Sequence, residues 1–179
     1  MLDGASPERQ SLICSRTPLL AQGRRVHIGV MQIRLDDQLA TETLAALIAD
    51  RCTPGDCLAL SGGLGAGKST FSRAFLRHLA QDPQMEVPSP SFALVQPYET
   101  PKGTVHHYDL WRLDGPDALY ELAWDEACEG IMLVEWPERA GDFLPAGTLH
   151  LTFTPGDTED SRVVELTGWP EERLTGLNR

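Results

Sequence analysis

Residues 62–70 have the types and the spacing of a phosphate-binding loop. Their sequence, GGLGAGKST, satisfies the pattern G-x-x-x-x-G-K-[S/T]. Glycines let the backbone wrap around a phosphate because they accept positive φ and carry no Cβ atom. The amides at the start of the following helix then attract the anion. In such a loop Lys68 reaches the β- and γ-phosphates and the Ser69 hydroxyl binds Mg²⁺, so the segment predicts a nucleoside triphosphate site.

A second stretch could supply the acidic group that such a site requires. The apolar run 131–134 ends in Glu135, which is typical of a buried parallel strand that delivers a carboxylate beside a phosphate-binding loop. The alternative is a core strand followed by a surface glutamate. We favour the first interpretation because the loop needs an acidic partner and the chain offers few other candidates.

Residues 87–92, VPSPSF, form a candidate switch segment. Two prolines within three residues exclude the interior of a helix and favour an extended, stiff loop. Such a loop can be a simple connector. Its hydroxyl groups nevertheless lie where a phosphate-binding fold often places a segment that faces the γ-phosphate, so we expect a functional role.

Short strands and helices are expected to position these residues. The apolar run 57–60 precedes the loop as a buried strand, and a helical pattern follows it directly. Asp36 or Asp37 can cap an earlier helix, which comes after a first strand at residues 31–35. The remaining expectations are strands at 93–96 and 104–110, a hairpin of 148–153 with 162–166, and a polar tail from Gly168.

The histidines and cysteines indicate structure more than chemistry. His106 and His107 are adjacent in an expected strand, so their side chains point to opposite faces and cannot jointly bind a metal without distortion. We expect a structural role for both. The cysteines form no C-x-x-C pair and no metal-ligand spacing, which predicts reduced, mostly buried thiols in the cytoplasm. They are Cys14, Cys52, Cys57 and Cys128.

Length and charge limit the class of protein. The 179 residues suit one domain with a substantial core, and no apolar run approaches the roughly 20 residues that span a bilayer. The net charge is −11; residues 1–31 carry +2, which leaves −13 for the remainder. Such a body repels nucleic-acid phosphates, so we expect any link to nucleic acid to run through a partner protein. Nine acidic residues between 106 and 138 form either a solvated face or a docking surface for a basic partner.

Residues 1–30 are expected to be a disordered extension, because they hold proline, serine, glutamine and arginine without periodicity. They lack a coherent apolar segment, so no secretory signal is expected. Met31 is an alternative start of the chain.

Together these motifs resemble one family closely: TsaE, the ATPase of bacterial tRNA threonylcarbamoyladenosine biosynthesis. The matching blocks are GGLGAGKST at 62–70, VPSPSF at 87–92, HYDLWRL at 107–113 and LVEWP at 133–137. The resemblance covers roughly residues 33–167. The family often has an acidic residue where Gly63 stands, and threonine where Ser69 and Ser91 stand. Serine preserves the hydroxyl group at both positions.

The resemblance implies an α/β fold of the P-loop NTPase type, with a mostly parallel central sheet, antiparallel edge hairpins and flanking helices, over residues 31–168. Residues 169–179 would remain as a polar tail. It implies a cytoplasmic ATPase that uses ATP and Mg²⁺, is weak alone and acts through the TsaD and TsaB proteins. Its hydrolysis would support formation of N6-threonylcarbamoyladenosine at position 37 of tRNAs reading codons that begin with A, with tRNA contacted only indirectly and no membrane involved.

The resemblance also implies site residues. Lys68, Asp109 and Glu135 would be catalytic, with Asp109 positioning the attacking water; exchanged roles for the two acids stay open. Ser69 and Glu135 would bind the metal. The nucleotide would contact Gly62, Leu64, Gly65, Ala66, Gly67, Lys68, Ser69, Thr70, Gln38, Thr41, Ser91 and Trp136.

Two other function classes share these motifs. A small-molecule kinase would need a second substrate pocket and usually an arginine-rich lid, but the segment after the loop helix is short and poor in arginine. A nucleotide-dependent interaction module would bind ATP without requiring its hydrolysis.

Overall fold

A seven-stranded sheet is the centre of the computed structural model, which describes residues 28–178. Its strands are β1 (Ile28–Leu35), β2 (Cys57–Ser61), β3 (Val95–Thr100), β4 (Gly103–Asp109), β5 (Ile131–Glu135), β6 (Leu149–Pro155) and β7 (Arg162–Pro170). The α-helices are α1 (Gln38–Arg51), α2 (Lys68–Ala80), α3 (Trp124–Ala127) and α4 (Glu171–Leu174). Three 3-10 helices cover Pro116–Leu122, Pro137–Arg139 and Gly141–Phe143. Within the described range, no helix is both long enough and apolar enough to cross a membrane.

The strand order is β1-β7-β6-β2-β5-β4-β3. The central strands β6, β2, β5 and β4 are parallel, whereas the pairs at both edges are antiparallel. This arrangement confirms the predicted α/β class with a parallel centre and antiparallel edge hairpins. In such sheets, ligands bind outside the carboxyl ends of the parallel strands, and β4 and β5 end there with Asp109 and Glu135.

Helices cover both faces of the sheet, so its central strands are buried on both sides. In β5, Leu133 packs into a core with the helices α1 and α2. Its neighbour Val134 belongs to a second core that contains Leu119 and Trp124 on the other face. This alternation is the reason that the strand is apolar throughout.

Helix α1 is capped by one of the two predicted aspartates. Asp37 accepts a hydrogen bond from the amide of Ala40 at 2.8 Å, as a side chain at this position typically does. Asp36 instead pairs with Arg34 at 2.7 Å. Helix α1 then packs beside α2 on one face of the sheet, next to the loop that precedes Lys68.

The predicted polar tail is wrong, because residues after Gly168 complete the core. β7 continues to Pro170, which pairs with Ile28. Trp169 is fully buried, and Leu174 and Leu177 pack into the same core as α1 and α2. β1 also begins three residues before the expected position, so the ordered fold exceeds 31–168 at both ends. The rest of the expected extension, residues 1–27, lies outside the described residues.

The strand expected at 93–96 is displaced towards the C-terminus and forms β3. Leu94 has a positive φ of 65°, and its amide donates to the carbonyl of Pro90 at 2.6 Å. A turn therefore occupies the start of the expected strand, because residues in this conformation leave the extended backbone.

Candidate functional site

The loop between β2 and α2 has the backbone that its glycines predict. Gly62 and Gly67 have φ values of 140° and 109°, which residues with a side chain rarely adopt. A Cβ atom on Gly62 would also lie 2.7 Å from the carbonyl oxygen of Phe153. Gly67 directly precedes α2, so the loop presents the first amides of that helix to any anion bound there.

Lys68 is the first residue of α2, and its side chain folds back over the loop. Its Nζ donates to the carbonyl oxygens of Gly62 at 2.6 Å and Gly63 at 2.9 Å. The same atom lies 3.9 Å from the ring centre of Trp136. Burial lowers the pKa of the ammonium group, and nearby carboxylates, Glu135 foremost, offset only part of that. The cation is thus held at the base of the loop, where phosphate oxygens could replace the carbonyls as its acceptors.

Glu135 ends β5 inside the protein and is surrounded by donors. Its Oε2 accepts from the hydroxyl of Ser69 at 3.0 Å. Its Oε1 accepts from Ser72 at 2.8 Å and lies 3.0 Å from Nε2 of His107. Burial alone would raise the pKa of this carboxyl, but its hydrogen-bond donors, His107 foremost, outweigh it and hold the pKa below its ordinary value. Glu135 is therefore ionised at neutral pH.

The donor set at Ser69 and Glu135 fits Mg²⁺. Both residues offer hard oxygen atoms, and these lie beside the loop that would hold phosphate groups. Within residues 28–178, no group of three or more histidine, cysteine or acidic side chains could hold a metal. A cation held by few protein oxygens, together with phosphate and water, is the usual arrangement for Mg²⁺.

Asp109 ends β4 directly beside Glu135 in the register of the sheet. It is 5% exposed. Its Oδ2 accepts from the hydroxyl of Ser89 at 2.5 Å and its Oδ1 from the amide of Trp111 at 3.2 Å. The switch segment therefore contacts this carboxylate through Ser89.

A pocket of about 400 Å³ brings most of the predicted residues together. It is lined by both acids, by Lys68 and Ser69, and by loop residues 64–67. The other predicted lining residues are Thr70, Ser91 and Trp136. Gly62 contributes through its carbonyl contact with Lys68.

Gln38 and Thr41 lie in a neighbouring pocket of about 360 Å³. Gly65, Gly67 and Thr70 line both pockets, so the loop separates them. Arg162 also lines the second pocket, and its Nη2 donates to the carbonyl of Gly65 at 3.3 Å. The structure thus places these two residues next to the loop but outside the pocket that contains the acids.

Sequence reasoning missed several residues of the site. Ser72, Ser89 and His107 contact the two acids, and Trp111 and Arg112 line the pocket. One signal for His107 was available. It stands two positions before Asp109, and side chains two apart on a strand share a face. The sequence pattern was interpreted only for a joint metal site of His107 with its neighbour His106.

Known proteins are similar to this chain over most of its fold. The family model described as threonylcarbamoyl adenosine biosynthesis protein TsaE matches residues 35–164. The TsaE protein of Rickettsia felis is 41% identical over 105 residues, which are 58% of this chain and 61% of that protein. The TsaE protein of Rickettsia bellii is 33% identical over 137 residues, or 76% of this chain and 94% of that one.

A TsaE protein from Bacillus subtilis and a solved structure extend the match. The first is 34% identical over 122 residues, which are 66% of this chain and 75% of that protein. The crystal structure of Bacillus subtilis YdiB superposes with a TM-score of 0.66 at 26% identity, covering 84% of this chain and 95% of YdiB. The chain spans about three fifths of the length of the Rickettsia felis relative.

Proposed function

Because this chain belongs to the TsaE family of threonylcarbamoyl adenosine biosynthesis proteins, we propose that it is a Mg²⁺-dependent ATPase that supports this tRNA modification. The product would be N6-threonylcarbamoyladenosine at position 37 of tRNAs reading codons that begin with A. The observation that carries the proposal is the meeting of four groups in one pocket. A phosphate-binding loop, its lysine, a hydroxyl–carboxylate pair and a second carboxylate converge there from separate elements.

The loop and Lys68 would hold the phosphate groups of ATP. The amides between Leu64 and Ser69 lie at the start of α2, where the helix dipole favours negative charge. The ammonium group of Lys68 would exchange its carbonyl acceptors for phosphate oxygens, with Trp136 packed beside it. Gln38 and Thr41, in the adjoining pocket, would lie near the adenine.

Ser69 and Glu135 would hold Mg²⁺, whose charge offsets that of the phosphate oxygens when it is bound. Asp109 would accept a hydrogen bond from the attacking water and orient it towards the γ-phosphate. Its own position is fixed by Ser89 and by the amide of Trp111. Ser91, on the same segment, lines the pocket and would sense the γ-phosphate.

The surface around the pocket supports a protein partner, which we propose to be the TsaD–TsaB pair in the cytoplasm. Leu64 and Phe92 are large, apolar and exposed, one on the phosphate-binding loop and the other on the switch segment. Isolated apolar side chains are common at surfaces, but two on segments that would respond to nucleotide suit a nucleotide-dependent contact. The net charge of −11 opposes direct tRNA binding.

The test is ATP hydrolysis by the protein alone and with purified TsaD–TsaB. Weak activity that the pair stimulates supports the proposal. Strong ATP hydrolysis that does not change when TsaD–TsaB is added contradicts the proposal and would favour a kinase. A screen of phosphate acceptors with labelled ATP would then identify the kinase activity. Formation of the modified nucleoside over many turnovers by an Asp109→Ala variant without hydrolysis would favour an interaction module instead.

A further inference from the structure

We infer that His107 is a positioning residue for Glu135: it holds one carboxylate oxygen so that the other faces the cation. The inference rests on the proposed function, because it concerns how the acid is oriented towards Mg²⁺. His107 and Glu135 are both 1% exposed, and Nε2 lies 3.0 Å from Oε1. A contact between two fully buried polar groups is not screened by water and restricts both side chains.

The two carboxylate oxygens of Glu135 have different hydrogen-bond partners. Oε1 has His107 and Ser72 as hydrogen-bond neighbours, whereas within residues 28–178 Oε2 has only the hydroxyl of Ser69. The Ser72 hydroxyl also lies 3.0 Å from the carbonyl of Lys68 and has one hydrogen to donate. Because Ser72 has two possible acceptors for its one hydrogen, His107 is the more constant hydrogen-bond donor to Oε1. Oε2 is left on the side of Ser69, where the cation would bind.

Hydrogen-bond accounting also assigns the tautomer of His107. A carboxylate surrounded by three donor groups acts as an acceptor, so Nε2 of His107 carries the hydrogen. The other ring nitrogen, Nδ1, is buried and has no hydrogen-bond partner within residues 28–178. A neutral ring leaves only an unpaired acceptor there, whereas a doubly protonated ring would bury an unpaired N–H group.

The sheet gives this contact a fixed geometry. His107 and Asp109 share one face of β4, and Glu135 lies opposite Asp109 in the register. The ring of Tyr98 lies 6.5 Å from that of His107 and packs against it. Strand β4 thus carries both Asp109, which is proposed to orient water, and His107, which fixes Glu135.

Removal of the donor should weaken Mg²⁺ binding without disturbing the phosphate loop. His107→Leu fills much of the same space but cannot donate, while His107→Gln retains an N–H donor of similar reach. The matched control is His106→Leu. It changes the same residue type at the next position, whose Nδ1 is also buried without a partner in the described range, but on the opposite face of β4.

The experiment is isothermal titration calorimetry of the full chain with the ATP analogue AMP-PNP, in EDTA and in Mg²⁺. We expect the gain in affinity on adding Mg²⁺ to fall about tenfold or more in His107→Leu, a typical loss when a partner of a metal ligand is removed. His107→Gln should restore most of it, and His106→Leu should match the unsubstituted protein. Affinity in EDTA should change little in all four proteins, which also verifies that each is folded.

The inference is overturned if His107→Leu keeps the full gain, or if it loses affinity equally with and without Mg²⁺, as a purely structural role would produce. The inference is also overturned if the gain in affinity on adding Mg²⁺ is no larger in His107→Gln than in His107→Leu. If His107→Leu does not fold, the glutamine variant and ¹⁵N NMR of the unsubstituted protein decide: an Nδ1–H tautomer of His107 refutes the inference. If the unsubstituted protein binds no AMP-PNP at all, the proposed function itself fails.

Discussion

Replacement of Asp109 by asparagine should separate turnover from binding. The substitution keeps the shape and the Oδ1 acceptor, which binds the amide of Trp111 at 3.2 Å. It removes the negative charge and places an NH₂ group opposite the hydroxyl of Ser89, 2.5 Å from the present oxygen. Ser89 is exposed and can rotate to accept in place of donating. The fold should therefore lose only about 1 kcal/mol, the net value of one hydrogen bond.

The effect on catalysis should be much larger. An amide cannot take a proton from water, and loss of a positioned acid–base group typically costs about 10²- to 10⁴-fold in rate. At about 1.4 kcal/mol for each factor of ten, this corresponds to about 3 to 5 kcal/mol of activation free energy. Nucleotide affinity should stay within about threefold and shift towards tighter binding, since a carboxylate next to phosphate oxygens is repulsive.

The assay measures kcat for ATP hydrolysis in the presence of TsaD–TsaB and the dissociation constant of AMP-PNP for the free protein. Urea unfolding of the variant verifies its stability. Asp142→Asn is the matched control, because it makes the same chemical change at an exposed position on a 3-10 helix. Equal losses in turnover and affinity, or turnover within about threefold of the unsubstituted protein, would refute the role of Asp109 in positioning the attacking water.

Three further changes should have distinct results. Lys68→Met should weaken AMP-PNP binding and lower kcat together, because the cation contacts phosphate before and during the reaction; unchanged affinity in calorimetry would contradict this. Leu174→Ala should lower the free energy of unfolding by about 2–5 kcal/mol, while the exposed Leu39→Ala should change it by less than about 0.5 kcal/mol, as urea titrations would reveal. Burial lowers the pKa of His106 and His150 below that of a histidine in the unfolded chain, which is about 6.5. Near and below that pH the unfolded chain therefore binds more protons than the folded protein. The free energy of unfolding should fall as the pH drops from about 7.5 to 5.5. Replacement of both histidines by glutamine should reduce that decline in the urea midpoint, and an unchanged decline would assign it to other groups.

Local sequence patterns predicted the elements whose signals are short and contiguous. The glycine loop lies between a strand and a helix as expected, and Asp37 caps α1. The end of the fold was missed because its apolar residues Trp169, Leu174 and Leu177 are few and separated by polar ones, so no helical or strand pattern is sustained. They are buried through contacts distant in sequence: Arg173 lies 3.5 Å over the ring of Trp169 and pairs with Asp56 at 2.7 Å.

The same distinction applies to the site. Asp109 and Glu135 could be predicted because each ends a strand, and parallel strands end at the same edge of a sheet. The contact of Ser89 with Asp109 depends on how the switch segment turns, which a pair of prolines does not specify. Ser72 could not be predicted at all, because its role depends on the distance between α2 and β5.

The pairing of β1 with β7 has a consequence for synthesis on the ribosome. Gln32 and Glu165, which are 133 residues apart, meet across these strands. At about 5–20 residues per second, β1 must wait roughly 7 to 27 seconds before its partner has been translated. During that interval β1 has unpaired backbone groups and exposes five apolar side chains, which are Ile28, Val30, Met31, Ile33 and Leu35. Until β7 has been translated, the nascent strand is therefore an apolar, unpaired segment of the kind to which other chains can add.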